Sequence, residues 1–238
     1  MCTSDVLFKT ALKSALLTIL LHPCACPQQE SADQLHERHR ELPHYNRPGA
    51  SLRQALLQSG KQVLEVHSVA DRGELPGGPD EADLLAESIC ASSAIVVGSP
   101  TRSLGLLSAS ETTVFTDYHI RVDTVLRNVT TEHLAANETI TLSRPFGEVH
   151  LAEGTIHTSD PDYPALQIGA EYIFFLETIA GEHKSFESQN DVNTYLVTKQ
   201  NIRPLARNVD AEKRAQWLSG STLAQLEGKI AEFAHSCK

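Results

Sequence analysis

Between positions 113 and 126 the chain alternates. Val114, Thr116, Tyr118, Ile120, Val122, Thr124 and Leu126 are mostly apolar or β-branched, and Asp117, His119, Arg121 and Asp123 stand between them. A period of two sends neighbouring side chains to opposite faces of a strand. One covered face and one wet face imply antiparallel pairing. On this reading the four charged positions form a solvated face that sets register. The segment is longer than a typical strand of about 5–6 residues, and long bent strands suit a barrel that curls on itself.

Other strands follow from shorter patterns. Residues 94–97 and 172–176 are continuous apolar runs, which fit buried strands. Residues 138–142, 149–151 and 194–197 predict shorter strands, and residues 63–69 an extended segment. Residues 99–111 read as a loop or as a continued, bulged strand. Residues 153–169, with Gly154, Pro161, Pro164 and Gly169, read mostly as loop.

Helical signals lie before and after this region. Ser51 with Gln54 three positions on opens a short helix, and Gly60 stops it. A second helix starts at Asp80 and turns Leu85 and Ile89 inward. A short helix beginning at Asp210 carries Trp217 and Leu218. Leu223, Leu226, Ile230, Phe233 and Cys237 then recur at three- and four-residue steps, a single apolar stripe. The expected class is therefore mainly β with flanking helices, a barrel bracketed by an N-terminal and a C-terminal helix.

The first 26 residues pattern differently. Lys9 and Lys13 precede an apolar stretch at 15–21, and the small residues Cys24, Ala25 and Cys26 follow. That order is a secretory signal. Cys24 and Cys26 are candidate lipidation sites at the cleavage zone. Residues 27–79 read as a polar tether with a short helix and strand, and residues 80–238 as the barrel domain with its C-terminal helices. His36 and His39 share one helical face in the tether and with one more ligand could hold a metal ion. No third ligand is placed nearby in sequence, so His36, His39 and His44 read as solvated.

Charge narrows the partners. The 238 residues carry a net charge of -10. Cleaving the signal removes two lysines and one aspartate, which takes it to -11. Phosphate backbones select a basic surface, so nucleic acid is excluded as a partner. No apolar run is long enough for a membrane span. Cys90 and Cys237 either form a disulfide in an oxidising compartment or remain buried thiols. No phosphate-binding loop, zinc-protease helix or nucleophile elbow is present. No cofactor is implied. Asn128-Val-Thr130 and Asn137-Glu-Thr139 match the glycosylation sequon and read as chance matches.

The succession of a helix, Ala94-Ile95-Val96-Val97-Gly98, Phe115 to Val122, Ile168 to Leu176 and a terminal helix resembles uncharacterised secreted bacterial proteins with an OB-like barrel. It is more distantly similar to tissue-inhibitor-of-metalloproteinase and netrin-like modules. The resemblance implies an antiparallel OB-like β-barrel and a binding role. The expected function is an exported, non-catalytic module for a protein or glycan ligand, extracytoplasmic and with a lipid tether as an option. Two alternatives stand beside it. One is an extracytoplasmic metal-dependent hydrolase built from Asp117, His119, His150 and His157. The other is a tethered structural envelope protein.

Overall fold

The computed structural model describes residues 32–67, 81–160, 163–188, 194–199, 201–206 and 221–237. All of them belong to the compact unit Ala32–Lys238. The signal region with Cys24 and Cys26 lies outside the described residues, as does the helix expected around Trp217. The chain is mainly β, with 42% strand against 21% helix. No helix among the described residues is long and apolar enough to cross a membrane.

The elements in chain order are α1 (Ala32–Arg40), α2 (Leu52–Ser59), β1 (Val63–His67), α3 (Glu81–Ala91), β2 (Ala94–Leu107) and β3 (Val114–Asn128). Then follow β4 (Thr139–Pro145), β5 (Gly147–Leu151), β6 (Gly154–Ser159), β7 (Tyr172–Thr178), β8 (Ser185–Ser188), β9 (Thr194–Val197), β10 (Ile202–Pro204) and α4 (Leu223–Ala234). The large sheet runs β10-β9-β7-β2-β3-β4-β8, and β8 also pairs with β7. Strands β7, β2, β3, β4 and β8 thus follow one another in a ring. All ring pairs are antiparallel except β4–β8, which is parallel.

Period two sorts the ring's side chains. Ala94, Val96, Ile120, Val122, Leu142, Phe174, Leu176 and Phe186 form one buried cluster drawn from all five strands. The alternate residues Ile95, Val97, Ile173 and Phe175 form a second cluster with Leu85 and Ile89 of α3 and Leu226 and Ile230 of α4. The two helices therefore pack side by side over one face of the sheet. A disulfide joins Cys90 to Cys237 between them, with Cα atoms 5.2 Å apart. Thr222 starts α4 with a full capping box to Gln225, which satisfies two backbone donors at that end.

The small sheet has the order β1-β6-β5. Its Val149 and Ile156 pack with Leu56 of α2 against Leu107 and Val114, at the far ends of β2 and β3. Gly105 makes this crossing close: a Cβ there would sit 1.6 Å from the Glu148 carbonyl oxygen.

One open alternative is decided, in favour of the bulged strand, and two expectations change. The span 99–111 is largely strand, since β2 runs to Leu107 through bulges that absorb its register shifts. The span 153–169 contains β6, which is Thr- and Ser-rich with Ile156 its one fully buried residue. Within the expected tether, residues 32–67 fold onto the rest. β1 pairs in parallel with β6, and His39 and Leu56 are 0% and 1% exposed. Polar composition suggested solvation there, but the polar groups find distant partners.

Candidate functional site

Helix α1 is short and polar, and its ends suit a helix dipole. Asp33 lies in the first turn, and Arg38, His39 and Arg40 lie in the last. Tertiary bonds hold it in place. Arg40 Nε donates to the Leu107 carbonyl at 2.8 Å, and the Ala109 N–H donates to the Arg40 carbonyl at 2.9 Å. Asn46 Nδ2 donates to the same carbonyl at 2.7 Å. Arg38 forms an ion pair with Glu182.

The inner face of α1 carries His36 and His39. Both donate Nδ1–H to one oxygen, Asp117 Oδ2, each at 2.9 Å. Asp117 is 0% exposed. Burial pushes its carboxyl up, but hydrogen bonds from His36, His39 and Ser143 outweigh this and hold it below its ordinary value. Asp117 Oδ1 and His39 Nε2 have no partner. Tyr45 adds a second layer. Its ring stacks on Phe115 with centroids 4.2 Å apart, and its Oη lies 3.1 Å from Ser143 Oγ. Burial pushes the Tyr45 phenol well above its usual range.

Histidines flank this centre. His119 lies with its ring centroid 6.1 Å from that of His36. Burial pushes His119 down, and the charges of His36 and Arg102 add to that effect. His44 sits against Tyr45, and its Nε2 is 3.1 Å from Glu187. Burial likewise pushes His44 down, helped by Arg47 and His39.

The polar face expected on β3 is thus wet only in part. Asp117 is buried, His119 and Asp123 are half-buried, and Arg121 is exposed. The covering elements are α1 and the Tyr45 turn, and nothing in the local alternation announces them. His150 and His157 lie elsewhere, on the small sheet. His157 Nδ1 pairs with Glu65 at 2.6 Å, and His150 Nε2 with Glu148 at 3.1 Å. The four expected site residues therefore divide two and two between the sheets. No group of three or more His, Cys, Asp or Glu among the described residues could hold a metal ion. Two histidines contact hydroxyls, His150 with Thr155 and His67 with Ser159, both at 2.9 Å and both at exposed positions.

A cleft of about 770 Å³ opens beside the buried centre. Tyr45, Phe146 and Tyr163 supply aromatic walls, and His44, Arg47, Asp160, Glu177 and Glu187 supply polar ones. Glu177 and Glu187 are register partners on β7 and β8. Burial, reinforced by Glu177, raises the Glu187 carboxyl above its ordinary value. A smaller recess of about 160 Å³ shares Pro145, Phe146, Thr158, Asp160 and Tyr163 with this cleft.

Arg144 lines that recess. It is 3% exposed, donates Nη1–H to the Pro164 carbonyl at 3.2 Å, and has a buried Nε without a partner. Its guanidinium carbon lies 5.7 Å from the Tyr163 ring centroid. Burial pushes its pKa down, while Tyr118, Tyr163, Tyr45 and Tyr172 oppose that shift. None of these features was visible in the sequence, where Arg144 is one arginine before a turn. No protein-family model and no curated protein matches the chain.

Proposed function

We propose that the chain is an exported, non-catalytic OB-like module that binds a glycan in the 770 Å³ cleft. The observation that carries the reading is the cleft's lining, in which the Phe146 and Tyr163 rings stand beside Glu177, Glu187, His44 and Arg47. Aromatic faces stack on the apolar faces of sugar rings, and carboxylates and Arg exchange hydrogen bonds with hydroxyls. A protein ligand would favour a broader apolar patch, and the described surface exposes few large hydrophobic residues.

Two further features support the other parts. Five strands in circular order with one parallel pair fit the five-stranded Greek-key barrel of OB folds. The Cys90–Cys237 bond fits an oxidising compartment, and so supports export.

The test is a titration of neutral and acidic oligosaccharides, followed by calorimetry. Binding is expected, and Phe146→Ala is expected to weaken it about tenfold, in line with loss of one stacking contact. A panel in which no saccharide binds, while a protein ligand does, overturns the glycan reading.

A further inference from the structure

We infer that the recess around Arg144 is an acid subsite, which takes the carboxylate of a uronic acid residue in the glycan. This deepens the proposed function and rests on the glycan reading.

The reasoning begins with the cost of the side chain. A guanidinium removed from water requires compensation. Arg144 is 3% exposed, yet it makes no ion pair with a carboxylate of the described residues. One donor is spent on the Pro164 carbonyl, and the Nε–H is left over. Tyrosine rings offset part of the cost, with Tyr163 5.7 Å from the charge. A ligand carboxylate would supply the rest. Arginine presents a planar fork that matches a carboxylate, and such charge-assisted bonds are the strong ones.

Position makes the subsite part of the larger cleft. Arg144 is the penultimate residue of β4, directly before Pro145, which lines both the recess and the cleft. A glycan lying along Phe146 and Tyr163 can place one substituent in the recess. The volume of about 160 Å³ suits a single acidic group and its ring carbons. Asp160 and His157 share the lining. Pro145, Phe146 and Pro164 in the same lining give the ring carbons of a uronic acid an apolar surface that acetate and sulfate cannot use, so a uronic acid fits better.

The test uses the full chain and two probes: a glucose oligomer and a glucuronate oligomer. In the unmodified protein, the Arg144 Nε–Hε resonance is expected to shift with glucuronate and not with the glucose oligomer. Glucuronate is expected to bind about tenfold tighter than the neutral oligomer. Arg144→Met should remove that preference. Ala165→Trp is a second variant, at an exposed position that lines the recess and not the cleft. It should abolish the preference with its Tm unchanged and neutral binding within twofold. Equal binding of both oligomers with no shift at Arg144 overturns the acid subsite and leaves the glycan reading intact. Absence of binding by either oligomer overturns both.

Discussion

Replacing Asp117 by Asn removes the charge that two buried imidazoles share. Breaking a buried pair from one side leaves uncompensated polar groups and costs about 3–5 kcal/mol. Asp117→Asn should therefore lower the unfolding free energy by an amount in that range, measured by urea denaturation. The pH profile gives an independent check. The folded carboxyl titrates below its ordinary value, so the unfolded chain takes up the proton first as pH falls. The stabilisation is thus present above the unfolded value of about 3.9 and is lost as pH falls through the folded value. The wild type should lose stability steeply below about pH 4, and the variant should lose less. Parallel profiles would sink this assignment. The cluster was half legible in the chain: His36 and His39 visibly share a helical face. Their acceptor is 81 and 78 residues away, and no local pattern encodes that distance.

At the scale of elements, alternation and apolar runs carried most of the reading. Strand β3 shows because its two faces differ, and β7 shows because both of its faces are covered, by the ring interior and by α3 with α4. Strand β6 does not show. Hydroxyl and imidazole side chains occupy most of its length, and its identity comes from pairing on both edges with β1 and β5. β8 and β10 are short and borrow their conformation from pairing, β8 with β4 and β7 and β10 with β9. Gly105 tests how strictly the two sheets are fitted. Gly105→Ala would push a methyl into the Glu148 backbone, and overpacking of this kind typically costs about 1–3 kcal/mol. Thermal denaturation should show a lower Tm with the secondary structure of the folded state retained. An unchanged Tm would mean that the sheets can separate freely at this point.

Across the whole molecule, one covalent bond encloses the ring. Cys90 and Cys237 are 147 residues apart in sequence, and all strands from β2 to β10 lie between them. Cross-linking restricts the unfolded chain and typically contributes about 2–4 kcal/mol. The paired variant Cys90→Ser with Cys237→Ser should unfold at correspondingly lower urea, and the oxidised wild type should fall to the same midpoint when reductant is added. A wild-type midpoint that ignores reductant would contradict this. The sequence offered the bond as one of two options, and its two helices were readable. What it did not reveal was that both helices lie on the same face of the sheet.

The docking of α1 has a consequence for how the chain is made. Its partners, Asp117, Leu107 and Glu182, are all synthesised long after it. Helix α1 must therefore wait in water as a free segment while the ring is still incomplete. A greasy helix in that position would invite aggregation during the delay. The histidines of α1 remain soluble alone and become buried only when their acceptor arrives. The composition that makes this segment look like a linker is what lets it dock late, after the strands that carry its partners exist.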